Sequence, residues 1–171
     1  PHTVALSQQA LPMSDAHILV IDDEPDIRAG LTDILEDEGY RVTTAGNAAE
    51  ARARVSEARF DVVLLDIWMP DQDGISLLRE WSERGGLPCP VIMMSVHGEA
   101  EQLKRAMLAG AREFLVKPFS ADEFATSIKR VYERELVRRE QMQATREAAA
   151  GSAGTYSSDS EDHQVIAVFS P

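Results

Sequence analysis

The sequence predicts an α/β fold: a doubly wound, five-stranded parallel sheet with an extended C-terminal helix. Three observations carry this. Five short β-prone apolar segments alternate with segments whose apolar residues recur at helical spacing. The central one, Val62–Leu65, is continuously apolar, as expected of a strand covered on both faces. Acidic, hydroxyl and basic residues follow the apolar segments, at the carboxyl ends where open α/β sheets place their chemistry.

Residues 1–15 form a disordered lead, with Met13 taken as the natural start. His17–Ile21 is a strand ending in Asp22-Asp23-Glu24, and Pro25 suits a first helical position. Ile27, Leu31, Ile34 and Leu35 then recur at helical spacing until Gly39. Arg41–Ala45 alternates as a strand, and Asn47 N-caps a helix over Ala48–Ala58. After the central strand and Asp66, Met69-Pro70 and Asp73-Gly74 mark a loop. A helix over Gly74–Arg84 ends at Gly85-Gly86. Val91–Met94 is the fourth strand, Glu99–Ala109 a helix closed by Gly110, and Glu113–Val116 the fifth strand. Ser120 and Glu123 form a capping box for the last helix, which runs to about Ala149.

This gives a compact domain over residues 16–135 and a helical extension over 136–149 that is mostly charged beyond Leu136. A Gly/Ser/Ala/Asp-rich linker over 150–163 follows. The apolar run Val165–Phe169 suggests that 164–171 opens a further domain.

Composition narrows the function. The chain has 171 residues, 44% of them hydrophobic, and a net charge of −12, which argues against a nucleic-acid surface. No apolar run approaches the ~20 residues of a membrane span, and no signal peptide is visible. One cysteine, Cys89, fits a free thiol in a reducing cytoplasm.

Asp22 and Asp23 follow strand one, Asp66 strand three, Ser95 strand four and Lys117 strand five, so they converge on one crevice. Clustered carboxylates repel unless a cation sits among them. Oxygen-only ligands suit Mg²⁺ better than Zn²⁺. A lysine and a hydroxyl beside such a site suit a phosphoryl group, and a carboxylate can itself be the nucleophile.

These motifs resemble the receiver domain of two-component response regulators over about His17 to Glu135. The carrying residues are Asp22-Asp23, Asp66 in a Leu-Asp-x-x-Met-Pro-x-x-Asp-Gly setting, Ser95 and Lys117-Pro118. The resemblance implies a flavodoxin-like fold and Asp66 as phosphoacceptor. Asp23, Asp66 and the carbonyl of Trp68 would ligate Mg²⁺, and Asp22 would hold it through water. Ser95 and Lys117 would grip the phosphoryl oxygens, Phe114 would be the aromatic switch, and the bond before Pro118 would be cis. It further implies a histidine kinase or phosphotransfer protein as donor and an output domain beyond Pro171. A homodimer through the long last helix is left open.

The chain departs from the family in Val96, where Ala or Gly is usual. Trp68 and His97 occupy positions where side chains tune the lifetime of the aspartyl phosphate. Two other chemistries fail on spacing. In an EF-type calcium loop over Asp71–Glu80 the first ligand position falls on Met69. A haloacid-dehalogenase-type phosphatase needs a second Asp where Trp68 stands. The expected function is a phosphorylated signalling switch, not a turnover enzyme. The alternative is a receiver-like interaction domain that works without phosphate and is fused to a P-loop ATPase. The ending Val-Ile-Ala-Val-Phe-Ser-Pro resembles the first strand of partitioning-type ATPases, as in Tad-type pilus-assembly proteins. No helix-turn-helix follows Glu135, so no nucleic-acid contact is expected from this chain.

Overall fold

The structure, a computed structural model, describes residues 15–152. Five strands alternate with five helices: β1 (His17–Ile21), α1 (Pro25–Asp37), β2 (Arg41–Ala45), α2 (Ala48–Glu57), β3 (Val62–Asp66), α3 (Gly74–Glu83), β4 (Val91–Ser95), α4 (Ala100–Ala109), β5 (Glu113–Val116) and α5 (Ala121–Ser152). All strand pairs are parallel, in the order β2-β1-β3-β4-β5. The doubly wound sheet is therefore the one expected, and its order reverses between β1 and β3. There the carboxyl ends of both strands open on a common crevice.

The pleat sorts the core into two halves. Ile18, Val20, Val62, Leu64, Ile92 and Met94 face α1 and α5, meeting Leu31, Leu35, Phe124, Ile128 and Val131. Leu19, Ile21, Val63, Leu65 and Met93 face the other way, onto Ala48 and Ala51 of α2, Leu77, Leu78 and Trp81 of α3, and Ala106 and Ala109 of α4. Small residues on α2 and α4 let those helices approach the sheet closely.

The helix boundaries follow the expected chemistry. The Asn47 side chain accepts from the Glu50 N–H. Asp73 caps α3, accepting from the N–H of Ser76. Ser120 and Glu123 exchange reciprocal bonds at the base of α5. Gly110 ends α4 in the left-handed region with φ of 112°. The Lys117–Pro118 peptide is cis.

The described residues divide into two units, one ending at Leu136 and one starting at Val137. In the first, α5 buries Phe124, Ser127, Ile128, Val131 and Glu135, a spacing of three to four residues that keeps one stripe on the sheet. Ser127 and Arg130 both donate to the Glu113 carboxylate on β5. In the second unit the described residues continue α5 to Ser152, three residues past the expected Ala149, with mostly exposed side chains and a Gln143–Glu147 bond on one face. The expected linker beyond Ser152 and the strand over 164–171 lie outside the described residues, as does most of the lead over 1–15.

One glycine is required where the start of α3 lies against the end of β3. The N–H of Gly74 donates to the Ile67 carbonyl at 2.8 Å, closing the loop after β3. A Cβ on Gly74 would lie 2.2 Å from the Asp66 carbonyl oxygen. Gly74→Ala should therefore destabilise the protein by about 3 kcal/mol, since backbone cannot yield as a side-chain tip would. Gly30→Ala, on α1 with nothing within 4 Å, should stabilise it by about 0.5–1 kcal/mol. Urea denaturation of the two variants gives both signs. Equal effects would refute the steric account.

Candidate functional site

The strand ends bring the expected residues together. Asp22 directly follows β1 and is fully buried, with its N–H donating to Ala45 at the end of β2. Its carboxylate accepts from the Glu24 N–H at 3.0 Å and from Lys117 Nζ at 2.6 Å. Asp66 closes β3, is also buried, and accepts from Lys117 Nζ at 3.2 Å. Asp23 is exposed at the mouth. One carboxylate oxygen from each of Asp22, Asp23 and Asp66 lies within 4.8 Å of the others. These are hard oxygen donors, partly open to solvent, and they fit a cation that keeps some of its water, as Mg²⁺ does.

Lys117 reaches the cluster because β5 pairs with β4. The Lys117 N–H donates to the Ser95 carbonyl at 2.7 Å, which fixes the lysine stem beside the end of β4. The ammonium bridges Asp22 and Asp66 from a site that is itself mostly buried.

Ser95 stands at the end of β4, fully buried. Its hydroxyl donates to Gln102 Oε1 of α4 at 2.9 Å and accepts from the His97 N–H at 3.1 Å. In this state the serine is tied to α4, not to the carboxylates. Phe114 on β5 is half-buried and packs on the core half that carries α4. Trp68 is 54% exposed, and its ring meets His97 edge to face with centroids 6.2 Å apart. The pair links the loop after β3 to the loop after β4, with Val96 beside it and also half exposed.

Three contributors escaped the sequence reading. Arg28 donates to the Asp22 carbonyl at 2.6 Å, holding the turn after β1. It passes so close to Gly46 that a Cβ there would lie 3.2 Å from the guanidinium. Gln102 is the second, and Asp71, which reaches α2, is the third. Arg28 sits four residues after Glu24 at a helix start, where a long side chain can fold back over the turn. That spacing is a usable signal. The other two pairs depend on tertiary register and leave none.

A separate hollow lined by Val55, Phe60, Leu87 and Cys89 opens at the amino ends of β3 and β4, the opposite end of the sheet. It gathers no comparable set of charged groups.

Electrostatics mark Asp66 as the unusual group. Burial pushes its carboxyl up to about 6, with Asp22 and Asp23 adding to the rise and Lys117 opposing it. Burial alone would lower the Lys117 ammonium, but its bonds to Asp22 and Asp66 outweigh this and raise it. The lysine thus stays charged while Asp66 holds its proton more tightly than an ordinary aspartate.

A doubly wound α/β module with carboxylates, a hydroxyl and a lysine gathered at one sheet edge belongs to a class of small signalling domains. Comparison with known proteins fixes the family. Residues 18–129 match the family described as the response regulator receiver domain. The nitrogen assimilation regulatory protein NtrX of Azorhizobium caulinodans is 41% identical over 125 residues, covering 72% of this chain and 27% of that protein. The transcriptional regulatory protein ResD of Bacillus subtilis is 38% identical over 121 residues, covering 71% of this chain and 50% of its own length. The beryllofluoride-activated NtrC4 receiver domain dimer superposes with a TM-score of 0.65 at 39% identity, covering 70% of this chain and 98% of that one. The chain belongs to the response regulator receiver domain family. It spans half or less of the curated relatives NtrX and ResD. Among the described residues no helix is long and apolar enough to cross a membrane.

The Asp66 environment gives a pH prediction for the protein in chelator. A carboxyl raised in the folded state contributes stability that is full below about pH 4. That contribution is lost as pH rises through about 6. Asp66→Asn removes the dependence. Its stability relative to wild type should rise by about 1–3 kcal/mol between pH 4 and 8, the equivalent of one to two pKa units. Urea denaturation at the two pH values measures it. A difference that stays constant, or runs the other way, contradicts the burial account.

Proposed function

We propose that this chain is a phosphoacceptor switch, with Asp66 taking a phosphoryl group from a cytoplasmic histidine kinase or phosphotransfer protein. The observation that carries the proposal is the Lys117 ammonium set between Asp22 and Asp66, 2.6 and 3.2 Å away. A lysine fixed beside a buried carboxylate at a strand end is placed to receive the oxygens of a group transferred to that carboxylate.

An Asp66 carboxylate oxygen attacks phosphorus in line with the donor nitrogen. The new O–P bond forms as the P–N bond breaks, and the donor imidazole keeps the electron pair and takes up a proton. Lys117 neutralises charge on the phosphoryl oxygens. Asp22, Asp23, Asp66 and the Trp68 carbonyl are the groups that would hold Mg²⁺, which when bound neutralises the clustered carboxylates and the incoming oxygens. Hydrolysis returns the resting state: water attacks phosphorus, the Asp66 O–P bond breaks and inorganic phosphate leaves, with Trp68 and His97 beside the site.

Ser95 gives the readout. Its hydroxyl has one proton, now donated to Gln102. To donate to a phosphoryl oxygen instead, it must release Gln102 and with it the first turn of α4. Phe114, packed on the same core half, is the side chain that would follow. Leu103, Met107 and Leu108 of α4 and Val116 of β5 are exposed, an apolar surface able to seat a second copy or an output domain. The matched segment makes up only 50% of ResD and 27% of NtrX, which supports an attached output domain.

Incubation with a small phosphodonor and Mg²⁺, read by intact mass, tests this. One phosphoryl mass should be gained by the wild type and lost in Asp66→Asn. Lys117→Met should lower the rate by about 10²-fold or more. A mass gain that survives Asp66→Asn would overturn the assignment.

A further inference from the structure

The loop after β3 carries the Trp68 carbonyl and runs from Ile67 to Asp73. Its base is pinned by the Gly74–Ile67 hydrogen bond. Its far end is pinned elsewhere, to a helix that contributes no residue to the acidic cluster. Asp71 lays its carboxylate across the start of α2: Oδ1 accepts from the Ala48 N–H at 3.0 Å and Oδ2 from the Ala49 N–H at 3.1 Å. These are the first two helical residues, and the Asn47 side chain already satisfies the third at Glu50. Oδ1 also accepts from the Gln72 N–H, which fixes the side chain against its own loop.

A turn further along α2, the Arg52 guanidinium grips Gln72, and it forms a two-pronged pair with Glu80 of α3 at 2.9 and 3.1 Å. Residues 71 and 72 are thus fastened to α2 at two successive levels. A carboxylate at a helix N-terminus is favoured by the unpaired N–H groups and by the helix dipole together. The Ala48 N–H in particular holds the Asp71 carboxyl below the ordinary range. Hydrogen bonds to an ionised acceptor are roughly twice as strong as neutral ones, and Asp71 makes two of them to α2 here.

We infer that Asp71 is a positioning residue of the metal site: by fastening the loop to α2 it fixes where the Trp68 carbonyl stands relative to Asp23 and Asp66. This rests on the proposal that the cluster holds Mg²⁺. With both ends of a short loop fixed, Trp68, Met69 and Pro70 have little freedom, and Met69 is packed on the core besides. Without Asp71 only the Arg52–Gln72 contact and the Asp73 cap hold the far end, and the carbonyl is less firmly placed.

The test separates this role from helix capping. Mg²⁺ titration of the full chain is followed by Trp68 emission, with buried Trp81 as a constant background, and urea denaturation is measured in chelator. Asp71→Ala should raise the half-saturating Mg²⁺ concentration about tenfold, the low end of what groups behind a metal ligand contribute. Asn47→Ala removes the other cap of the same helix without touching the loop. It should lower the denaturation midpoint similarly yet leave Mg²⁺ half-saturation within about twofold of wild type. Asp71→Asn keeps one carbonyl acceptor and should fall between. An unchanged Mg²⁺ response in Asp71→Ala overturns the inference, and so does an equal shift in Asn47→Ala. A wild type with no saturable response to Mg²⁺ overturns the metal reading itself, and this inference with it.

Discussion

The site depends on a charge imbalance. Asp22 and Asp66 are buried within reach of one ammonium, and Asp23 stands beside them at the surface. Burying charge is costly unless it is paired, and Lys117 can pair with only part of this set. The sheet enforces the crowding. Parallel register sets Asp66 one residue past Leu65 while Leu65 lies across from Ile21, so the ends of β1 and β3 arrive together. No rearrangement of side chains alone can separate the carboxylates. What relieves them must come from outside, as a proton, a cation or both, and the raised Asp66 carboxyl shows the first of these. A pocket that is incomplete in charge fits the proposed metal and the oxygens of the proposed transferred group.

Much of this was legible in the sequence because it is local. The fifth strand, Glu113–Val116, and the cap residues Asn47, Ser120 and Gly110 depend on propensity and on bonds spanning a few residues. The site residues were legible because parallel βα units send every strand end to one edge, so sequence position implies spatial position. Long-range side-chain pairing was not legible. Asp71 and Ala48 are 23 residues apart, and Arg52 and Glu80 are 28 apart. Nothing in periodicity links them. The same residues explain why Asp71–Glu80 carries a superficial calcium-loop pattern. Asp71 serves α2, Asp73 caps α3 and Glu80 holds Arg52, so each carboxylate already has a structural partner.

The loops around the pocket are held in different ways, and the difference bears on switching. The loop after β3 is tied at both ends by backbone and charge-assisted bonds. The loop after β4 is tied by neutral bonds at the Ser95 hydroxyl, to Gln102 and from the His97 N–H, and by the Trp68–His97 contact. A neutral hydrogen bond contributes only about 0.5–1.5 kcal/mol net. A phosphoryl oxygen competing for the Ser95 proton can break it. Under the proposed function, the firm loop would fix the reacting geometry, and the weaker one would yield and pass the change to α4.

The central claim is that Asp22, Asp23 and Asp66 form a cation site whose crowding the metal relieves. Urea denaturation with and without millimolar Mg²⁺, for wild type and Asp23→Asn, tests it most directly. Binding to the folded state alone must stabilise it by mass action, by about 1–3 kcal/mol at 10- to 100-fold excess over the dissociation constant. Wild type should show that gain and Asp23→Asn little or none. A wild-type midpoint indifferent to Mg²⁺, or an equal gain in the variant, would contradict the account.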